Sequence, residues 1–130
     1  INLFAPHEPL TIGGPGGPIT FVPVPVMHGA GYRAFGFRFN DIVYCPDINV
    51  LPADSEIHFI AARLLVLDAL RYTRHPTHLS VDEALAIIAR FEPRQAVLTN
   101  LHSDLDYRTL AGRMPDGVVP AHDGLALHFD

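Results

Sequence analysis

The sequence holds a single cysteine, Cys45, so no disulfide can form within it, and a reducing cytoplasm is the expected setting. It lacks any apolar run near the roughly 18 residues that would mark a membrane-spanning helix. No basic segment leads into an apolar stretch, as a secretory signal would require. Residues 13–18 are rich in glycine and proline, but no Gly-Lys-Ser/Thr follows them. That excludes a phosphate-binding P-loop and leaves a flexible connector or a hairpin loop. A basic tract is also missing: the formal net charge is −5, which argues against non-specific nucleic-acid binding. The sequence starts at Ile1 without an initiator methionine, as expected of a fragment, a processed product or the ordered part of something longer.

What is present suits one small domain with a core: 130 residues, 48% hydrophobic and 18% charged. Residues 1–18 read as a flexible Gly/Pro-rich lead-in. Residues 19–27 read as a strand, pushed towards an edge by Pro23 and Pro25. Residues 32–45 form a β-hairpin turning at Asn40-Asp41, and its second strand delivers Asp47. A short helix is expected over 52–62, a buried strand over 64–67 and another over 96–99. The spacing of Val81, Ala84, Leu85 and Ile88 predicts a helix over 81–91, started by the Ser80/Glu83 capping box and stopped by Pro93. A short helix over 107–114 and strands at 118–119 and 125–129 complete the reading. The order β-β-β-α-β-α-β-α-β-β places the chain in the α/β class with a mixed sheet.

Chemistry concentrates at strand ends, where side chains from separate strands converge. His28, Asp47 and His102 all fall there, and imidazole with carboxylate suits zinc, manganese or iron. A carboxylate such as Asp47 can bridge two ions about 3.5–4 Å apart. The loop after the strand at 64–67 carries Arg71, Arg74, His75 and His78 within eight residues. In open α/β sheets such loops face the ligand. His78 suits donation of a proton to a phosphate or leaving group, and Arg74 with Arg71 suits neutralisation of an anionic substrate. Pro76 disfavours a helix that would place His75 and His78 on one face, so these two do not form a metal motif. Cys45, inside an apolar strand, reads as a buried small hydrophobe and not a nucleophile.

A series of segments resembles the second half of the metallo-β-lactamase superfamily. In order these are Pro25-Val-Met-His28-Gly, Gly31-Tyr-Arg-Ala-Phe-Gly36, Ile42-Val-Tyr-Cys-Pro-Asp47, Val66-Leu-Asp-Ala-Leu70, Thr77-His-Leu-Ser80, Val97-Leu-Thr-Asn-Leu-His102 and Ala121-His-Asp-Gly124. The branch resembled is that of the phosphodiesterases that open phosphoribosyl cyclic phosphate, near relatives of the tRNA 3′-processing nucleases. The resemblance implies half of a four-layer αββα fold and two divalent metal ions, zinc or manganese. It implies that His28 binds one ion, that Asp47 bridges both and acts in catalysis, and that His78 lies near the phosphate. Where that family often has Leu-Thr-His, this chain has Leu98-Thr99-Asn100, and His102, two places on, is the residue expected to substitute. The family's His-x-His-x-Asp-His motif is absent from these 130 residues. A missing amino-terminal half, or a second chain, is therefore expected to complete the site, with one sheet face left uncovered and self-association as a consequence. The expected activity is hydrolysis of a phosphodiester, in a small cyclic nucleotide- or sugar-phosphate. The rival readings are a tRNA 3′-end endoribonuclease and a non-catalytic truncated fragment that binds only a ligand or partner.

Overall fold

A computed structural model describes residues 3–128. Seven strands form one sheet in sequence order: β1 (Leu10–Ile12), β2 (Ile19–Met27), β3 (Arg33–Phe39), β4 (Ile42–Cys45), β5 (Leu64–Asp68), β6 (Gln95–Thr99) and β7 (Val118–Pro120). β1 to β4 pair antiparallel, and β4 to β7 pair parallel. The parallel half needs crossovers, and these are a 3₁₀ segment (Ala53–His58), helix α1 (Val81–Phe91) and helix α2 (Tyr107–Ala111). No helix among the described residues is long and apolar enough to cross a membrane.

Alternation along the strands sets the layers. Val43 and Cys45, Leu65 and Leu67, and Ala96 and Leu98 face one way and meet Phe59, Val81, Ala84, Ile88 and Leu110 in the core. Burying one such Val, Leu or Phe side chain contributes about 1.5–3 kcal/mol. The intervening residues Phe37, Phe39, Tyr44 and Val66 line shallow apolar grooves on the opposite face, the second groove also bounded by Leu125 and Leu127.

Helix α1 spans 81–91 as its apolar spacing predicts. Ser80 and Glu83 form both halves of the capping box, and Glu92 closes the helix in the left-handed conformation. The prolines of β2 lie beyond the reach of β1, which pairs only with Ile19–Phe21. There the strand edge is covered otherwise: the His7 N–H donates to the Pro23 carbonyl at 2.9 Å, and the Ser55 hydroxyl to the Pro25 carbonyl at 2.6 Å.

Four elements differ from expectation, the simplest being the helix expected over 107–114, which ends at Ala111. The lead-in is not wholly irregular, because Leu10–Ile12 pairs with β2 and residues 13–18 become the hairpin loop. The helix expected over 52–62 is a 3₁₀ segment ending at His58, with Ala61 left-handed just beyond. Residues 125–128 form no strand, and the rest of the strand expected over 125–129 lies outside the described residues.

Candidate metal centre

The site is assembled by loops at the ends of β2, β4, β5 and β6. At the end of β2 the Met27 N–H donates to the Val50 carbonyl at 3.0 Å, and the Asn49 N–H returns to the Met27 carbonyl at 2.7 Å. This stitch holds the loop after β4 against β2 and so brings Asp47 beside His28. The His28 N–H donates to the Tyr32 carbonyl at 2.9 Å, which closes the loop into β3. The loop after β5 folds back on itself through Leu70 N–H to the Leu79 carbonyl and Val81 N–H to the Arg71 carbonyl, both at 2.9 Å. His78 is carried back over the end of β5 by that return. Asn49 ties the same loop from below, its amide reaching the carbonyls of His75 (3.3 Å) and His78 (3.5 Å).

The result is a cluster of three. His28, Asp47 and His78 each offer one ligand atom, and these atoms lie within 4.8 Å of one another. The His28 and His78 rings meet edge to face, centroids 4.6 Å apart. His28 Nδ1 is buried and has no hydrogen-bond partner among the described residues. A buried ring nitrogen left without a partner is costly unless something satisfies it. The His28 imidazole, with its orphaned Nδ1, and the Asp47 carboxylate fit a divalent ion such as zinc or manganese, with the His78 imidazole beside them.

Beneath the cluster sits Asp68, fully buried at the end of β5. One oxygen, Oδ2, accepts from His78 Nδ1 at 2.8 Å and from the backbone N–H groups of Ile48 and Leu79 at 3.4 Å. The other, Oδ1, accepts from the Asn100 amide at 3.3 Å. Burial pushes the Asp68 carboxyl above its ordinary value, and the His78 hydrogen bond and charge and the two backbone N–H groups oppose that rise. With Nδ1 bound to Asp68, His78 presents Nε2 as its remaining functional nitrogen. Cys45 is buried as expected, and its thiol is pushed up to about 12 by burial and by the nearby Asp68 and Asp47 charges, so it stays protonated.

The remaining residues singled out from the sequence fall outside the cluster. Arg74 is exposed and pairs with Glu83 on α1 at 2.7 Å, and Arg71 hydrogen-bonds the carbonyls of Thr73 and Arg74 in its own loop. His102 is exposed with Nδ1 3.2 Å from the Asp104 carboxylate. The extended geometry that would make His102 face the same way as Asn100 is absent, because Asn100 is left-handed (φ 58°). Asn100 itself turns inward, with its amide 3.2 Å from His78 Nδ1. Sequence reasoning gave no role to Asp68 or Asn49, and marked Asn100 only as the place where the family's histidine is replaced. Asp68 carried a signal, a lone carboxylate ending an apolar strand.

The sequence profile of the Beta-lactamase superfamily domain matches residues 1–100. Among solved structures, the chain is similar to a diphosphatase from the PhnP family, with 32% identity over 97% of this chain and 48% of that one and a TM-score of 0.88. It has the fold of YhfI from Bacillus subtilis, a metallo-beta-lactamase fold protein, with 21% identity, 94% and 53% coverage and a TM-score of 0.72. It also has the fold of the short form of human tRNase Z, with 16% identity, 82% and 42% coverage and a TM-score of 0.62. The chain thus spans about half the length of the solved structures it matches. No curated protein matches it.

Proposed function

The chain belongs to the Beta-lactamase superfamily domain family, and from that premise we propose that it is the carboxyl-terminal half of a metal-dependent phosphoester hydrolase. The observation that supports this reading is the convergence of His28, Asp47 and His78 at the strand ends, with His78 backed by buried Asp68. His28 and Asp47 are the proposed metal ligands, and an upstream half of the protein supplies the others. Divalent ions held there would polarise a phosphoryl oxygen and activate water. Asp68 fixes the ring orientation and tautomer of His78. His78 Nε2 then gives its proton to the oxygen leaving phosphorus. The proposed substrate is a small phosphodiester or phosphoanhydride. The structural likeness to a PhnP-family diphosphatase supports a small substrate, and the acidic net charge weighs against RNA.

The test uses the full-length protein and its hydrolysis of small phosphodiesters, cyclic phosphates, diphosphates and a tRNA precursor. Asp47→Ala is expected to lose bound metal and activity together. His78→Ala is expected to keep its metal and lose rate by about 10²–10⁴-fold. Loss of metal in both variants would make His78 a ligand and remove it as proton donor. Preference for the tRNA precursor would overturn the small-substrate reading.

A further inference from the structure

Resting on the metal-site reading, we infer that Gly29 is a positioning residue: its missing side chain lets the His28 loop lie against Thr77, and so sets the approach of His28 to His78. Gly29 is buried with φ of +99°. A Cβ at this position would lie 2.8 Å from Thr77 Cγ2, closer than side chains pack, and 3.5 Å from the Pro76 carbonyl oxygen. The contact is one residue from His28 on one side and one residue from His78 on the other. It therefore runs beside the edge-to-face contact of the two imidazoles.

Thr77 cannot simply retreat. Its hydroxyl lies 3.2 Å from His75 Nδ1, its N–H donates to the same nitrogen at 3.3 Å, and Asn49 holds the His75 and His78 carbonyls. The His28 loop is equally constrained, closed by the His28 to Tyr32 hydrogen bond and by the Met27 stitch. A methyl group between two pinned loops has to widen the gap between His28 and His78. Gly31 provides the contrast within the same loop: it also has positive φ (+79°), but an added Cβ would meet no atom within 4 Å. Gly31 needs glycine for its backbone alone, whereas Gly29 needs it for backbone and contact together.

The experiment compares Gly29→Ala, Gly31→Ala, Thr77→Ser and the double variant Gly29→Ala/Thr77→Ser in the full-length protein. Zinc or manganese affinity and the thermal midpoint of the metal-free protein are measured for each. Gly29→Ala is expected to weaken metal binding by roughly 10–100-fold, the scale of losing support behind a ligand. Thr77→Ser removes Cγ2 but keeps the hydroxyl, so alone it should be near wild type. In the double variant it should return affinity and midpoint to the level of Gly31→Ala, which carries backbone strain only. A double variant as impaired as Gly29→Ala, or a Gly31→Ala as impaired as Gly29→Ala, overturns the inference. A wild-type protein that takes up no divalent metal overturns the site reading instead, and the rescue of the thermal midpoint still decides whether Gly29 spaces the two loops.

Discussion

Asp68 gathers hydrogen bonds from Ile48, His78, Leu79 and Asn100, which lie on three separate segments of the chain. Its removal should therefore cost twice, once in folding and once in chemistry. Asp68→Ala leaves several buried donors unpaired, at about 1–3 kcal/mol each, and is expected to unfold the protein or lower its thermal midpoint sharply. Asp68→Asn keeps the shape and one acceptor oxygen but replaces the carboxylate that accepts from His78 Nδ1. It is expected to fold, retain metal and lose roughly 10–100-fold in turnover, measured by calorimetry and steady-state rates side by side. Unchanged turnover in Asp68→Asn would leave Asp68 a structural residue only. The sequence displayed Asp47 more clearly than Asp68, for a physical reason. Asp47 follows a proline at a strand end and is exposed, so the local pattern marks it as a candidate ligand. Asp68 acts through a network of backbone N–H groups, and nothing in the local pattern shows which loops fold back upon it. The same holds for His102 against Asn100, where a single left-handed residue redirects the chain.

Two elements carry contacts outside the cluster that can be perturbed independently of it. Helix α1 begins with a complete capping box, Ser80 Oγ accepting from Glu83 N–H and the Glu83 carboxylate accepting from Ser80 N–H at 2.9 Å. Ser80→Ala is expected to destabilise by about 0.5–2 kcal/mol, read from denaturant unfolding. This helix was legible in the sequence from end to end because cap, stripe and stop are all local. The 3₁₀ segment was less legible, since its His58 is held from afar: His58 Nε2 lies 2.9 Å from His7 Nδ1, and Arg38 reaches its carbonyl. Asp54, from the same segment, approaches His7 at 3.8 Å. Burial, then the His7 ring and the Arg38 guanidinium, hold His58 below the ordinary imidazole value. In the window between that lowered value and the ordinary one near 6.5, the unfolded chain binds a proton that the folded chain refuses. This contribution to stability is thus full above the ordinary value and is lost as pH falls through it. The thermal midpoint should drop as pH falls below about 6.5, and His58→Gln should flatten that slope. An equal slope in the variant would assign the acid sensitivity elsewhere.

At the scale of the whole molecule, the two faces of the sheet are unequal. One is packed against α1, α2 and the 3₁₀ segment, while the other carries Phe21, Phe37, Phe39 and Tyr44 in an apolar groove. Alternating hydrophobicity records which side chains avoid water, but it does not record what covers them. That is also why Leu125 and Leu127 read as a strand: they alternate and line the second groove of this face, yet residues 125–128 form no ladder. A contiguous apolar face of this kind drives association when left uncovered. Under the proposed half-domain reading, residues 1–130 expressed alone are therefore expected to sediment as oligomers or to require the missing half for solubility, and to turn over no phosphodiester. Charge placed on the groove offers the control. Phe37→Glu with Tyr44→Lys pairs opposite charges at facing positions of β3 and β4, so the hairpin should survive while the face loses its adhesion. The variant should sediment as a monomer where the parent does not. If the parent itself is a monomer with full turnover, the cluster of His28, Asp47 and His78 is a complete site without any upstream ligands, and the half-domain reading fails.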